Sequence, residues 1–153
     1  MTWTLLAFVI LSSLFAIGFA WFLARGVLSR ESGTERMQEV SGVIYEGAIA
    51  FMRRQYSTIG ILAVVTSVII GILIGFLGQY IEVKGVTPLQ VGLMTGIAFL
   101  VGAFLSAISG IIGMWVSVRS NVKVAAAARN GVSEALLVAL RAGAVSGFLV
   151  VAL

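Results

Sequence analysis

The chain has 153 residues, of which 60% are hydrophobic and 10% are charged, and its mean hydropathy is +1.13. Soluble domains carry about 25% charged residues, so this composition indicates an integral membrane protein. The sequence contains no His, Cys or Asp, which excludes disulfides, Cys/His metal sites, a cysteine nucleophile and histidine acid–base chemistry.

The first apolar run covers residues 3–24 and is long enough to cross a bilayer. Trp3 and Trp21 stand near its ends, as interfacial aromatic residues often do. No basic residue precedes the run and Arg25 follows it, an order that argues against a cleavable signal peptide. We therefore predict a first transmembrane helix over 3–24.

A cytoplasmic amphipathic helix is predicted over residues 34–57. Ser32 and Glu35 have the spacing of a capping box, and apolar residues recur at helical intervals after them. Charged residues on the opposite face are interpreted as solvated. The helix continues into a second span over 58–81, with glycines along one side: Gly71, Gly75 and Gly78.

A third helix is predicted to follow the turn "EVKGVTP". Thr87 is the N-cap, Pro88 occupies the first helical position and Gln90 stands three residues after the cap. The span covers residues 89–118, with a cytoplasmic extension to about 129, where Asn130-Gly131 offers a stop. Small residues at four-residue spacing let membrane helices approach closely. Five of them are helix-packing candidates: Gly92, Gly96, Gly102, Ser106 and Gly110.

A partial fourth span is predicted over 134–153, capped by Ser133. Only residues 142–153 follow Arg141, about 18 Å of helix at ~1.5 Å per residue. That is less than a bilayer core of about 30 Å, so we expect an N-terminal piece of a longer protein. Arg141 is interpreted as a snorkelling residue, with a functional intramembrane charge as the alternative.

The basic residues predict the topology. Of the ten, only Lys84 lies between the second and third spans. Five lie between the first and second spans, and four lie between the third and fourth spans or at the start of the fourth. The positive-inside rule makes the side with nine cytoplasmic and the N-terminus external. Arg119 and Arg141 are the candidate cytoplasmic anchors. Because the basic residues flank membrane spans, no nucleic-acid partner is expected.

The sequence contains no recognisable catalytic motif. A phosphate-binding loop of the Gly-rich, Lys-Ser/Thr type is missing from the sequence. Glu31, Glu35 and Glu39 recur at four-residue spacing, but they are interpreted as an exposed face rather than a metal site. We therefore predict no catalytic, cofactor-binding or metal-binding residue in this segment.

Three stretches resemble the N-terminal region of the membrane-embedded, ion-pumping inorganic pyrophosphatases: "IYEGAIAFMRRQY" (44–56), "FLVGAFLSAISGIIGMWVSVRSNVKVAAAAR" (99–129) and "ALLVALRAGAVSGFLVVAL" (135–153). Their order and spacing match across nearly the whole chain. Four positions depart from the residues that many members carry: Gln55, Ala126, Ala142 and Ser146. These departures leave open the branch of the family.

The resemblance implies an all-α integral membrane fold, with three complete transmembrane helices and a partial fourth inside a multi-span bundle. Family members are homodimers with inner and outer helix rings and an external N-terminus in the cell membrane. They hydrolyse pyrophosphate on the cytoplasmic side with Mg²⁺, in some cases with K⁺, and move H⁺ or Na⁺ outward. Their Asp and Lys ligands lie on later helices, so none maps onto this chain. This segment is expected to be inactive by itself.

These features are consistent with two functions. The first is the outer-ring N-terminal part of a pyrophosphate-energised pump, whose partners are the lipid bilayer and the remaining helices of the same pump. The second is a non-catalytic helical membrane scaffold or assembly partner.

Overall fold

The computed structural model describes residues 2–77 and 85–153, and across these ranges it contains four α-helices and no strand. They are α1 (Thr2–Leu28), α2 (Glu35–Leu77), α3 (Pro88–Ala128) and α4 (Val132–Ala152). All four are long and apolar enough to cross a membrane. The predicted all-α membrane fold is therefore confirmed. The prediction of a partial fourth span is wrong, because α4 begins at Val132 and its 21 residues are enough to cross a bilayer.

The two middle helices are longer than a bilayer is thick. α2 has 43 residues and joins the amphipathic segment to the second span without a break, and α3 has 41. At ~1.5 Å per residue each exceeds 60 Å, about twice the hydrocarbon core. The predicted end of the second span at 78–81, with Gly78, and the first residues of the turn after it lie outside the described residues.

One predicted N-cap is confirmed and two are wrong. The Thr87 amide donates to Gln90 Oε1 at 2.9 Å, and the Gln90 amide donates to Thr87 Oγ1 at 3.4 Å, which is a reciprocal capping box. At α2 the cap is Thr34 instead of Ser32, because Thr34 directly precedes the helix and its Oγ1 accepts from the Met37 amide at 3.4 Å. Ser32 is occupied elsewhere: its Oγ accepts from Lys123.

The turn between α3 and α4 depends on Gly131. Its φ of +148° is one that side-chain-bearing residues rarely adopt. α3 ends at Ala128, so the predicted stop at Asn130-Gly131 is confirmed. Because Gly131 is itself the N-cap of α4, Ser133 lies inside the first turn and is not the cap.

The chain divides into two compact units. Unit 1 comprises the described residues up to Phe51 together with Ile108–Leu153, and unit 2 comprises Met52–Ala107. In unit 1, α1 packs against α4, and the Phe19 and Phe148 rings meet edge to face at 5.1 Å. The buried apolar residues form two clusters: Ala20, Leu23, Val116, Val145 and Leu149, and Val27, Ala127, Val138 and Ala142.

Large apolar side chains cover the outside of these helices. Trp3 is 83% exposed, Phe15 is 75% exposed and Phe76 is 72% exposed. Water-soluble proteins rarely present continuous apolar surfaces of this kind. Lipid, or further helices, is therefore the expected surrounding medium.

Candidate functional site

In unit 2, glycines bring the backbones of α2 and α3 into contact. A Cβ atom built on Gly92 would meet the Gly71 carbonyl oxygen and would lie 2.8 Å from the Gly75 amide nitrogen. Real side chains do not approach a backbone so closely. Glycine at position 92 therefore lets the two backbones touch, which is how small residues pack helices in lipid.

A hydrogen bond reinforces this contact. Ser67 Oγ on α2 donates to the Gly96 carbonyl of α3 at 2.8 Å, and Ser67 is only 5% exposed. A Cβ on Gly96 would lie 3.2 Å from the Ser67 carbonyl oxygen. Ser67, Gly71 and Gly75 thus form a small-residue ridge at four-residue spacing. Serine at such a spacing is the sequence signal that a search for glycines alone misses.

The five helix-packing candidates do not share one environment. Gly92 and Gly96 lie in the α2–α3 contact described above. A Cβ on Gly102 would meet nothing within 4 Å, Ser106 is exposed, and Gly110 is half-buried. Within unit 2, the predicted packing role on α3 therefore applies to the first two candidates, Gly92 and Gly96. The role of the later positions stays a prediction.

In unit 1, Lys123 ties α3 to the segment between α1 and α2. Its Nζ donates to the Arg30 carbonyl and, at 2.6 Å, to Ser32 Oγ. Hydrogen bonds from a charged donor are worth about 1.5–3 kcal/mol. The contact fixes the connecting segment against the basic end of α3. Sequence reasoning did not single out Lys123, because its partners lie far away in the chain.

Arg119 lies between two aromatic rings in the same unit. Its guanidinium carbon is 4.5 Å from the centre of the Trp115 ring and 5.1 Å from that of Tyr45. Both distances suit cation–π attraction. No carboxylate pairs with Arg119 within the described ranges. Arg141, the second predicted anchor, is exposed on α4.

Carboxylates do not assemble into a metal site in the part of the chain that the structure describes. Glu39 pairs with Arg36, and Glu134 accepts a hydrogen bond from the Asn130 side chain at 2.9 Å. Mg²⁺ prefers octahedral oxygen ligands, carboxylates among them. Among the described residues, no three such carboxylates come together.

The model of one protein family, the inorganic H⁺ pyrophosphatases, matches residues 14–153 of the chain. The chain belongs to this family. The family match and the four long apolar helices both indicate that the chain is part of an integral membrane protein.

Curated H⁺ pyrophosphatase relatives are similar over nearly the whole chain. A protein of Caldanaerobacter subterraneus subsp. tengcongensis named "K(+)-insensitive pyrophosphate-energized proton pump" is 42% identical over 145 residues, which cover 95% of this chain and 20% of the relative. A Methanosarcina mazei protein of the same name is 43% identical over 143 residues, 94% of this chain and 19% of the relative. The "Pyrophosphate-energized membrane proton pump 3" of Arabidopsis thaliana is 37% identical over 149 residues, 96% of this chain and 19% of the relative.

This H⁺ pyrophosphatase segment therefore spans about a fifth of the length of the curated relatives it matches. No solved structure matches the chain.

The glycine contact yields a matched pair of variants. Gly92→Ala places a methyl group against the α2 backbone and is expected to cost about 1–3 kcal/mol, as overpacking does. Gly102→Ala adds the same group to open space in the same helix and is expected to be neutral, or stabilising by up to about 1 kcal/mol. Thermal unfolding of the purified chain in detergent, followed by circular dichroism, measures both. Equal stability of the two variants would contradict the assigned contact.

Proposed function

We propose that this chain is the N-terminal part of a pyrophosphate-energised proton pump, a membrane-bound inorganic pyrophosphatase. The observation that carries the proposal is the match of the family model to residues 14–153, together with relatives whose names describe such pumps. The whole protein would hydrolyse pyrophosphate on the cytoplasmic side and move H⁺ outward. Protons are preferred to Na⁺ because each of these relatives is named as a proton pump.

The cofactor proposal follows the same relatives. Mg²⁺ is proposed to bind the parent protein outside this segment, since no three carboxylates come together among the described residues. K⁺, the second cofactor that the resemblance raised, is disfavoured by the words "K(+)-insensitive" in the names of the bacterial and archaeal relatives. A parent whose hydrolysis needs Mg²⁺ but not K⁺ is the combination we propose.

The segment itself is proposed to serve as an outer-ring scaffold that supports catalytic helices elsewhere in the pump. The Gly92 contact and the Ser67 hydrogen bond to Gly96 support this role, because they hold two spans at a fixed distance without any reactive group. The parent is further proposed to be a homodimer. A scaffold that works outside any pump is the alternative, and the next experiment distinguishes the two.

Hydrolysis assays test whether catalysis requires parts of the pump outside this segment. The full-length parent is expected to release phosphate from pyrophosphate with Mg²⁺, at equal rates in potassium and sodium salts of matched ionic strength. The purified chain 1–153 is expected to release none, because the sequence contains no Asp and the glutamates among the described residues do not form a cluster that could hold Mg²⁺ and phosphate. Phosphate release by chain 1–153, in a preparation free of soluble pyrophosphatase, would overturn the inactive assignment. A full-length parent without hydrolysis would favour the stand-alone scaffold.

An external N-terminus and a cytoplasmic basic side are part of the proposal. Contacts within unit 1 support it, since Lys123 near the end of α3 bonds to Arg30 and Ser32 after α1, and Arg119 stacks on Tyr45 of α2. These contacts bring the basic segments together in one patch at one end of the unit, and the positive-inside rule applies to that patch. By that rule the patch is cytoplasmic.

Single cysteines test this topology, since the sequence contains no Cys to interfere. Ala128→Cys lies at the exposed end of α3, and Val86→Cys lies at an exposed position before the start of α3. In intact cells, the Ala128→Cys variant is expected to react only with a membrane-permeant thiol reagent, while the Val86→Cys variant reacts with permeant and impermeant reagents alike. Labelling of position 128 by the impermeant reagent would refute the orientation.

A further inference from the structure

A polar cleft lies beside Arg119 in unit 1. It has a volume of about 540 Å³ and lies where α3 meets the beginning of α2 and the end of α1. Its lining includes two basic side chains, those of Arg119 and Lys123, and the polar side chains of Ser32, Gln38, Ser41 and Tyr45.

The charge of this cleft is uncompensated by its own lining. No acidic side chain lines it, and Arg119 makes neither a hydrogen bond nor an ion pair with the described residues, its neighbours being the Tyr45 and Trp115 rings. Lys123 Nζ uses two of its three N–H groups on Arg30 and Ser32 and keeps one. The cleft therefore offers donors and positive charge to an anion.

The geometry of Arg119 suits a phosphate group. The guanidinium presents a planar fork of N–H donors, and stacking on aromatic rings restrains its plane. Such a fork binds phosphate oxygens in bidentate fashion. The hydroxyl of Ser41 and the amide of Gln38 line the same cleft and can donate to further oxygens.

The surface below Arg119 favours a lipid over a free phosphate. One turn toward the middle of α3 stands Trp115, and one further turn reaches Ile111 and Ile112. These two isoleucines are 42% and 40% exposed. An anion held by Arg119 at the membrane interface therefore lies at the head of an apolar strip along which acyl chains can pack. Basic pockets between membrane helices are known to hold anionic headgroups.

We propose that this cleft binds the phosphate group of an anionic phospholipid, with Arg119 as the main ligand and Lys123 as a second positive charge. Trp115 and Tyr45 orient the guanidinium, and the isoleucine strip accepts an acyl chain. The proposal does not depend on pyrophosphate-driven transport.

Native mass spectrometry of the 153-residue chain in detergent tests the site with phosphatidylglycerol and phosphatidylcholine as probes. Phosphatidylglycerol is expected to bind about tenfold more tightly than phosphatidylcholine, because the choline headgroup carries a compensating positive charge. Arg119→Gln is expected to remove about tenfold of the phosphatidylglycerol affinity, the size of one charge-assisted bidentate contact. Arg119→Lys keeps the charge and loses the planar fork, so its phosphatidylglycerol affinity is expected to lie between those of wild type and Arg119→Gln.

Arg25→Gln is the matched control. Arg25 is exposed in the same unit, on α1, and does not line the cleft. This variant removes the same charge and is expected to bind phosphatidylglycerol within about twofold of wild type. Ser41→Asp is the second test variant, and it leaves Arg119 and its stacking in place. Its added carboxylate is expected to weaken phosphatidylglycerol binding at least as much as Arg119→Gln, which keeps the test valid should Arg119→Gln fail to fold.

Three results would overturn the proposal. Wild-type affinity in folded Arg119→Gln or in Ser41→Asp would show that the cleft is not the site. An equal loss in Arg25→Gln would show general charge attraction only. Displacement of phosphatidylglycerol by millimolar inorganic phosphate or pyrophosphate, measured at constant ionic strength, would assign the cleft to a free phosphate instead of a lipid.

Discussion

A helix surrounded by lipid gains little by burying apolar side chains against another helix, so close backbone approach and hydrogen bonds must hold this chain together. Unit 2 meets this constraint with Gly92 against Gly71 and Gly75 and with the Ser67 hydrogen bond to Gly96. In unit 1, a Cβ on Gly113 would lie 2.9 Å from Ser146 Cβ, which shows that α3 and α4 also approach closely. Lys123 adds polar contacts at the basic end.

The same constraint explains what could be predicted from the sequence. Helix positions followed from the apolar runs, because a bilayer demands about 20 apolar residues per span. The Thr87 capping box was predictable since all of its atoms lie within one turn. Ser32 is not the cap because α2 begins at Glu35, directly after Thr34. Ser133 is not the cap because α4 begins at Val132, directly after Gly131.

The sites were less predictable than the helices. Glycine spacing pointed to Gly92 and Gly96, yet the same spacing also pointed to Gly102, which has open space beside it. Which face of α3 meets α2 depends on the partner ridge that includes Ser67, and periodicity along one helix does not contain that information. The stacking of Arg119 between Trp115 and Tyr45 joins residues far apart in sequence, so only the fold brings the cleft together. The family, in contrast, was readable from local motifs.

In our proposal this segment belongs to the supporting frame of the pump. The parent protein is proposed to couple pyrophosphate hydrolysis to proton movement. Inverted membrane vesicles that contain the full-length parent provide the most direct measurement, with a pH-sensitive dye reporting the lumen. Addition of pyrophosphate with Mg²⁺ is predicted to acidify the lumen, and a protonophore is predicted to abolish the signal. Pyrophosphate hydrolysis without acidification, in vesicles that hold an imposed pH gradient, would contradict the claim.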